Sequence, residues 1–222
     1  MKTFKLLALT ALVCASAASS AANIVTNGGF EANKFDGSWT TMSSITGWTS
    51  TGAFEVQKGS NSGGLNVFDV AYEGVQYLEL NSDGLTTVSQ SLHTTAGGLY
   101  DLSFVFSGRS DTPSGAASSM EVFWGNLDLG KITAAANSGW VAYDFSNLQA
   151  LSDNTTLSFK SLGPTSASSY GSYLDAVSVN SLGKSAAAST VPEPATLASM
   201  SLGLGMLAFA SRRRKTAKSS GK

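Results

Sequence analysis

Between Asn23 and Leu182 the apolar positions repeat every second residue, in short runs separated by Gly, Ser, Asn and Asp. Alternation of this kind marks half-buried strands, and the separators mark turns. Asn23-Ile-Val-Thr26 leads into Asn27-Gly-Gly, and Gln76-Tyr-Leu-Glu-Leu80 into Asn81-Ser-Asp-Gly84. Thr86 to His93 alternates through Val88, Gln90 and Leu92. Further runs are Leu99 to Phe106, Met120 to Trp124, Trp140 to Phe145, Thr155 to Lys160 and Tyr173 to Val179. No helical period interrupts them, so the expectation is an all-β antiparallel sandwich of about eight to ten strands.

The two ends break this pattern. Lys2 and Lys5 precede the apolar run LLALTALVCA, and small residues follow up to Ala22. Basic, apolar and small in that order is a secretory signal peptide, expected as a helix over 1–22 with removal by signal peptidase. Bulky Leu12 and Val13 before Cys14 argue against a lipoprotein signal. At the other end a spacer of small polar residues, 183–190, leads to Val191-Pro192-Glu193-Pro194-Ala195. The run Thr196 to Ser211 is apolar and close to the lower limit for a membrane-spanning helix. Arg212, Arg213, Arg214 and Lys215 form a basic stop, and 216–222 a cytoplasmic tail, by the positive-inside rule. Both ends place the middle domain outside the cytoplasm.

The tail resembles the PEP-CTERM sorting signal, with the motif at Val191, Pro192, Glu193 and Pro194, the helix and the basic stop in order. The resemblance implies a membrane transpeptidase, exosortase, as partner. It also implies passage through the inner membrane of a Gram-negative bacterium to the cell surface or extracellular matrix. An ordinary C-terminal anchor is the competing reading.

Charge narrows the function. The chain has a formal net charge of −1, but eight of its fourteen Lys and Arg lie at the two ends. From Asn23 to Thr190 fourteen acids face six bases, a net of −8. Nucleic acid is not expected as a partner, because its binding rests on Lys and Arg. The one cysteine, Cys14, is in the signal, so the domain has neither disulfides nor Cys-ligated metal.

In the order of its strands the middle resembles the galactose-binding-like jelly rolls shared by many carbohydrate-binding modules. The residues that carry this are Asn27-Gly-Gly-Phe-Glu31, Gly47-Trp48, Gln76 to Leu80, Val88 to Leu92, Gly98 to Phe104 and Leu174 to Val179. The resemblance implies neighbouring first and last strands with a structural calcium beside them, for which Glu31 and Asp175 are the candidate carboxylates. In the alternative, Glu31 caps a turn and Asp175 pairs with a lysine or the backbone.

Candidate chemistry is sparse. The lone histidine, His93, ends a strand and no Gly-x-Ser-x-Gly elbow accompanies it, so no nucleophilic triad is expected. Glu73 with Glu79 and Glu121 with Asp128 are acid pairs only by default, better read as surface acids. Of the four tryptophans, Trp48 and Trp140 read as core. Trp39 lies in the polar stretch Ser38-Trp-Thr-Thr-Met and Trp124 ends a strand before Gly125-Asn126, near the loop of Arg109. Trp39, Arg109 and Trp124 are the candidate sugar contacts, a ligand-free role being the other reading. Ser- and Thr-rich loops carry O-linked sugar or simply solvate the surface. The expected function is that of a surface or matrix protein, not an enzyme, with polysaccharide as candidate ligand. The alternative is a small glycoside hydrolase or lyase.

Overall fold

In the computed structural model, residues 22–59, 70–114, 116–136, 138–165 and 169–184 are described. The signal, most of the spacer, the sorting motif and the tail lie outside them. Among the described residues no helix is long and apolar enough to cross a membrane.

Ten strands occupy the described residues, paired antiparallel throughout: β1 (Trp39–Ile45), β2 (Trp48–Lys58), β3 (Gln76–Glu79), β4 (Thr87–His93), β5 (Gly98–Gly108), β6 (Ala117–Trp124), β7 (Leu127–Ala135), β8 (Val141–Gln149), β9 (Asn154–Gly163) and β10 (Ser172–Lys184). The order is β7-β6-β9-β4-β2-β3-β10-β5-β8, with β1 on β2. β2 serves both halves of the sandwich. Thr49 and Ser50 pair with β4, while Glu55 to Lys58 pair with β3. Gly52 lies between these two stretches and gives the strand freedom to bend.

The core fills the space between the halves. Phe159 of β9 meets Phe104 of β5 edge to face at 5.1 Å, and Trp124 of β6 meets Tyr100 of β5 at 5.5 Å. Trp48, fully buried, joins Phe159 to Phe30. Such aromatic pairs add about 0.5–1.5 kcal/mol beyond the area they bury.

The all-β expectation holds, with corrections. β1, β2 and β7 are additional strands. Trp39 opens β1 rather than a loop. The first predicted strand reduces to an isolated bridge, Asn23 to Asn180, which still sets the N-terminal segment beside β10. β10 runs to Lys184, two residues into the expected spacer. Trp140 is half-buried and packs outside the core on Tyr77 and Tyr173, at 5.8 and 6.4 Å, while its indole N–H donates to the Val70 carbonyl.

The Asn27-Gly-Gly-Phe-Glu31 turn explains its own composition. Asn27 and Phe30 both take positive φ, 56° and 60°. Gly28 receives the Val177 N–H on its carbonyl, and a Cβ there would stand 1.9 Å from the Val177 carbonyl oxygen. Only glycine lets the turn come this close to β10.

Candidate functional site

Cross-strand register assembles the outer face of β1, β2, β3 and β10. Trp39 stands opposite Gln57, and Gln57 opposite Tyr77, forming one row. Thr41, Glu55, Glu79, Tyr173 and Ser107 form the next. Residues directly opposite share a face and touch.

Glu79 organises this surface. Its carboxylate is fully buried, and three donors make four hydrogen bonds to it. Arg109 Nη1 reaches Oε1 at 2.9 Å and Oε2 at 3.2 Å, and Gly171 N–H reaches Oε1 at 2.6 Å. Gln57 Nε2 donates to Oε2 and to Glu55 Oε2. Burial pushes the Glu79 carboxyl up to about 7, although Arg109 and the Gly171 N–H pull it down. Burial also raises the Glu55 carboxyl, against the pull of Arg109.

Arg109, just beyond β5, is held on all sides. Its Nε donates to Asp111 Oδ1 at 2.6 Å and its Nη2 to Asp111 Oδ2 at 3.4 Å. Nη1 also reaches the Ser169 carbonyl at 3.1 Å, and the guanidinium lies 4.8 Å from the centre of the Tyr170 ring. Beside it opens a groove of about 280 Å³ lined by Trp39, Glu55, Gln57, Arg109, Ser169 and Tyr170. Trp39 is 56% exposed and contributes a large apolar side chain to this wall.

The structure therefore brings together two of the three candidate sugar contacts, Trp39 and Arg109. The third is corrected. Trp124 is 3% exposed, packs on Tyr100 and donates its indole N–H to the Gln149 carbonyl. It borders a different groove, of about 460 Å³, shared with Leu127, Gln149 and Leu151. A buried indole cannot offer its face to a sugar ring. Glu79 is corrected too: it is no surface acid. Of the other default acids, Glu121 pairs with Lys160 at 3.0 Å and Asp128 accepts the Gly130 N–H. His93 ends β4, as expected.

Glu31 and Asp175 both face the 72–76 segment. Glu31 Oε1 accepts the N–H groups of Val75 and Gln76, at 2.7 and 2.6 Å. Asp175 Oδ2 accepts those of Tyr72 and Glu73, at 2.8 and 3.2 Å, and Oδ1 that of Ala176. Asp175 is fully buried, and burial pushes its carboxyl up to about 7, against these donors; the Glu73 charge raises it further. Gly74, at φ +63°, packs against Glu31 so closely that a Cβ would fall 2.3 Å from Oε1. Carboxylate oxygens are the donor type calcium prefers. Among the described residues, however, no three His, Cys, Asp or Glu form a metal-binding group.

No curated protein matches the chain. Among solved structures, the fold is similar to TmCBM61 in complex with β-1,4-galactotriose, at 16% identity over 72% of this chain and 99% of that one, TM-score 0.47. It is also similar to the CBM22-1 xylan-binding domain of Paenibacillus barcinonensis Xyn10C, at 15% identity over 77% and 100%, TM-score 0.44. A family 35 carbohydrate-binding module from Clostridium thermocellum is similar at 14% identity over 64% and 98%, TM-score 0.39. Residues 190–215 match the PEP-CTERM protein-sorting motif, which marks an exported protein processed at the membrane. Residues 23–180 match the model described as protein of unknown function (DUF642), and the chain belongs to that family.

Proposed function

We propose that this is an exosortase-sorted protein of the cell surface or extracellular matrix whose β-domain binds polysaccharide without transforming it. One observation carries the binding reading: exposed Trp39 stands beside Gln57, Glu55, Arg109 and Tyr170 in one shallow groove. A sugar ring presents C–H groups to a flat aromatic face and hydroxyls to polar groups around it. The Glu79 network fixes those polar groups before a ligand arrives, which lowers the ordering cost of binding.

The same network argues against hydrolysis. A glycosidase needs a carboxylic acid that reaches the scissile oxygen. Glu79 has the raised carboxyl such an acid would need, but it is fully buried and both its oxygens are engaged. Its role is to position Arg109 and Gln57.

The test is a glycan array probed with the full chain in detergent, followed by a turnover assay on each hit. Retention without product formation is expected, and product release would favour the enzyme reading.

Sorting by exosortase rests on the match over 190–215, which includes Pro192, Glu193 and Pro194. Pro192→Ala with Pro194→Ala, or Glu193→Ala alone, should leave membrane insertion intact and block processing. The apparent mass of the membrane-bound form, with and without exosortase in the host, decides this. Identical masses for wild type and variants would reduce the tail to an anchor.

Calcium at Glu31 and Asp175 belongs to the same proposal. Its support is the fully buried Asp175 carboxyl, which has Glu73 as a neighbouring charge and, among the described residues, backbone N–H groups as its hydrogen-bond donors.

A further inference from the structure

Resting on the reading that the Trp39 groove takes glycan, we propose that it selects uncharged polysaccharide and excludes chains bearing uronate or other anionic groups.

The argument starts from Arg109, the one cation among the groove's described lining residues. An arginine reads a sugar carboxylate by offering two parallel N–H groups. Here those groups are occupied. Nε and Nη2 serve the two oxygens of Asp111, while Nη1 serves Glu79 and the Ser169 carbonyl. The guanidinium carbon also lies over the Tyr170 ring, 4.8 Å from its centre. The next cation along β2, Lys58, is used as well: its Nζ donates to the Phe35 carbonyl and sits 4.0 Å from the centre of the Phe35 ring. It also alternates to the opposite face from Gln57.

What faces an arriving ligand is acidic. Glu55 lines the groove, Asp111 pairs with the lining Arg109, and Glu79 lies buried behind it, three carboxyls against one guanidinium. A uronate would meet like charge with no free cation among the described lining residues to offset it, and like charges brought together in a partly desolvated cleft repel. Hydroxyl groups meet the opposite situation. They donate well to carboxylate oxygens, and charge-assisted hydrogen bonds of this type are short and strong. The Gln57 carboxamide, whose N–H groups serve Glu79 and Glu55, adds its carbonyl oxygen as an acceptor, and Trp39 is indifferent to charge. The wall is built for neutral hydroxyl-rich chains.

The experiment is affinity electrophoresis of the full chain in detergent, with chelator present to remove cation bridging. The immobilised probes are neutral galactan, xylan and glucomannan on one side, and polygalacturonate and alginate on the other. At least tenfold tighter retention by a neutral polymer is expected, lost in Trp39→Ala. Asp111→Asn, at an exposed position, frees the Nε and Nη2 edge and should raise retention by polygalacturonate; near-ultraviolet circular dichroism checks that this variant is folded. Trp39-dependent retention by an anionic polymer, as tight as by any neutral one, overturns the selectivity and leaves the binding site standing. Retention by no polymer, or retention that ignores Trp39→Ala, overturns the glycan site itself and the selectivity with it.

Discussion

Glu79 and Asp175 lie on adjacent strands, both fully buried and both pushed up to about 7 by burial, yet they are answered differently. Glu79 has a guanidinium: Arg109 contacts both its oxygens. Asp175 has backbone N–H groups from Tyr72, Glu73 and Ala176, and the neighbouring charge of Glu73 is of its own sign. The difference separates two uses of a buried acid. One carboxylate is compensated by a side chain that it thereby fixes, and the groove wall is the product. The other, among the described residues, is compensated by dipoles, and such a site gains most from a cation. The groove and the proposed calcium position follow from one physical fact, the cost of burying charge, met in two ways.

The largest expected effect comes from removing the compensation at Glu79. Arg109→Ala leaves a buried carboxylate without its cation, and urea denaturation should show a loss of about 3 kcal/mol at pH 8. At pH 5, where Glu79 is protonated in the wild type, the loss should be much smaller. Equal losses at the two pH values would mean that the pair is not what holds Glu79.

Next is calcium. At a hundredfold excess over its Kd, calcium should stabilise the domain by about 2.7 kcal/mol, read as a rise in Tm. Asp175→Asn with Glu31→Gln should abolish the rise, while Glu79→Gln should retain it. Identical melting curves in calcium and in chelator would remove the site and leave both carboxylates as hydrogen-bond acceptors.

A gentler test uses pH alone, in chelator. Both carboxyls are raised, so the folded chain binds these protons more tightly than the unfolded chain does. The stability they contribute is fully present below the ordinary carboxylate range and is lost as pH rises through about 7. Urea midpoints should therefore fall between pH 5 and pH 8, and less steeply in Asp175→Asn. Flat midpoints would place the two groups in solvent-like surroundings, and rising midpoints would mean that the folded chain holds them below the ordinary carboxylate range.

How much of this was legible in the sequence depends on burial. β4 and the first half of β5 alternate cleanly because one face of each meets the core, and their pattern is visible along the chain. β1 and β7 lie at edges, with polar or exposed residues on most positions, and β2 changes partners at a glycine, so none has a clean period. The exposure of Trp39 could be read from its polar neighbours, although its strand could not. Arg109 and Asp111 are two residues apart and suggest a pair. The bond from Arg109 to Glu79 spans thirty positions and exists because β10 pairs with both β3 and β5. Nothing local in Gln76-Tyr-Leu-Glu79 distinguishes a buried acid from a surface one; only the register across β2, β3 and β10 does. Trp124 was misplaced for the same reason, since its partner Tyr100 lies across the sandwich.

The central claim is that the Trp39 groove binds glycan, and calorimetric titration tests it most directly. The neutral oligosaccharide best retained in electrophoresis would be titrated at pH 8 into the wild type, Trp39→Ala and Trp124→Phe. Trp39→Ala removes an exposed side chain and should change stability by less than about 0.5 kcal/mol. It should nevertheless weaken binding at least about tenfold, or 1.4 kcal/mol, while a folded Trp124→Phe binds like the wild type. Unchanged affinity in Trp39→Ala, or a loss confined to Trp124→Phe, would contradict the account.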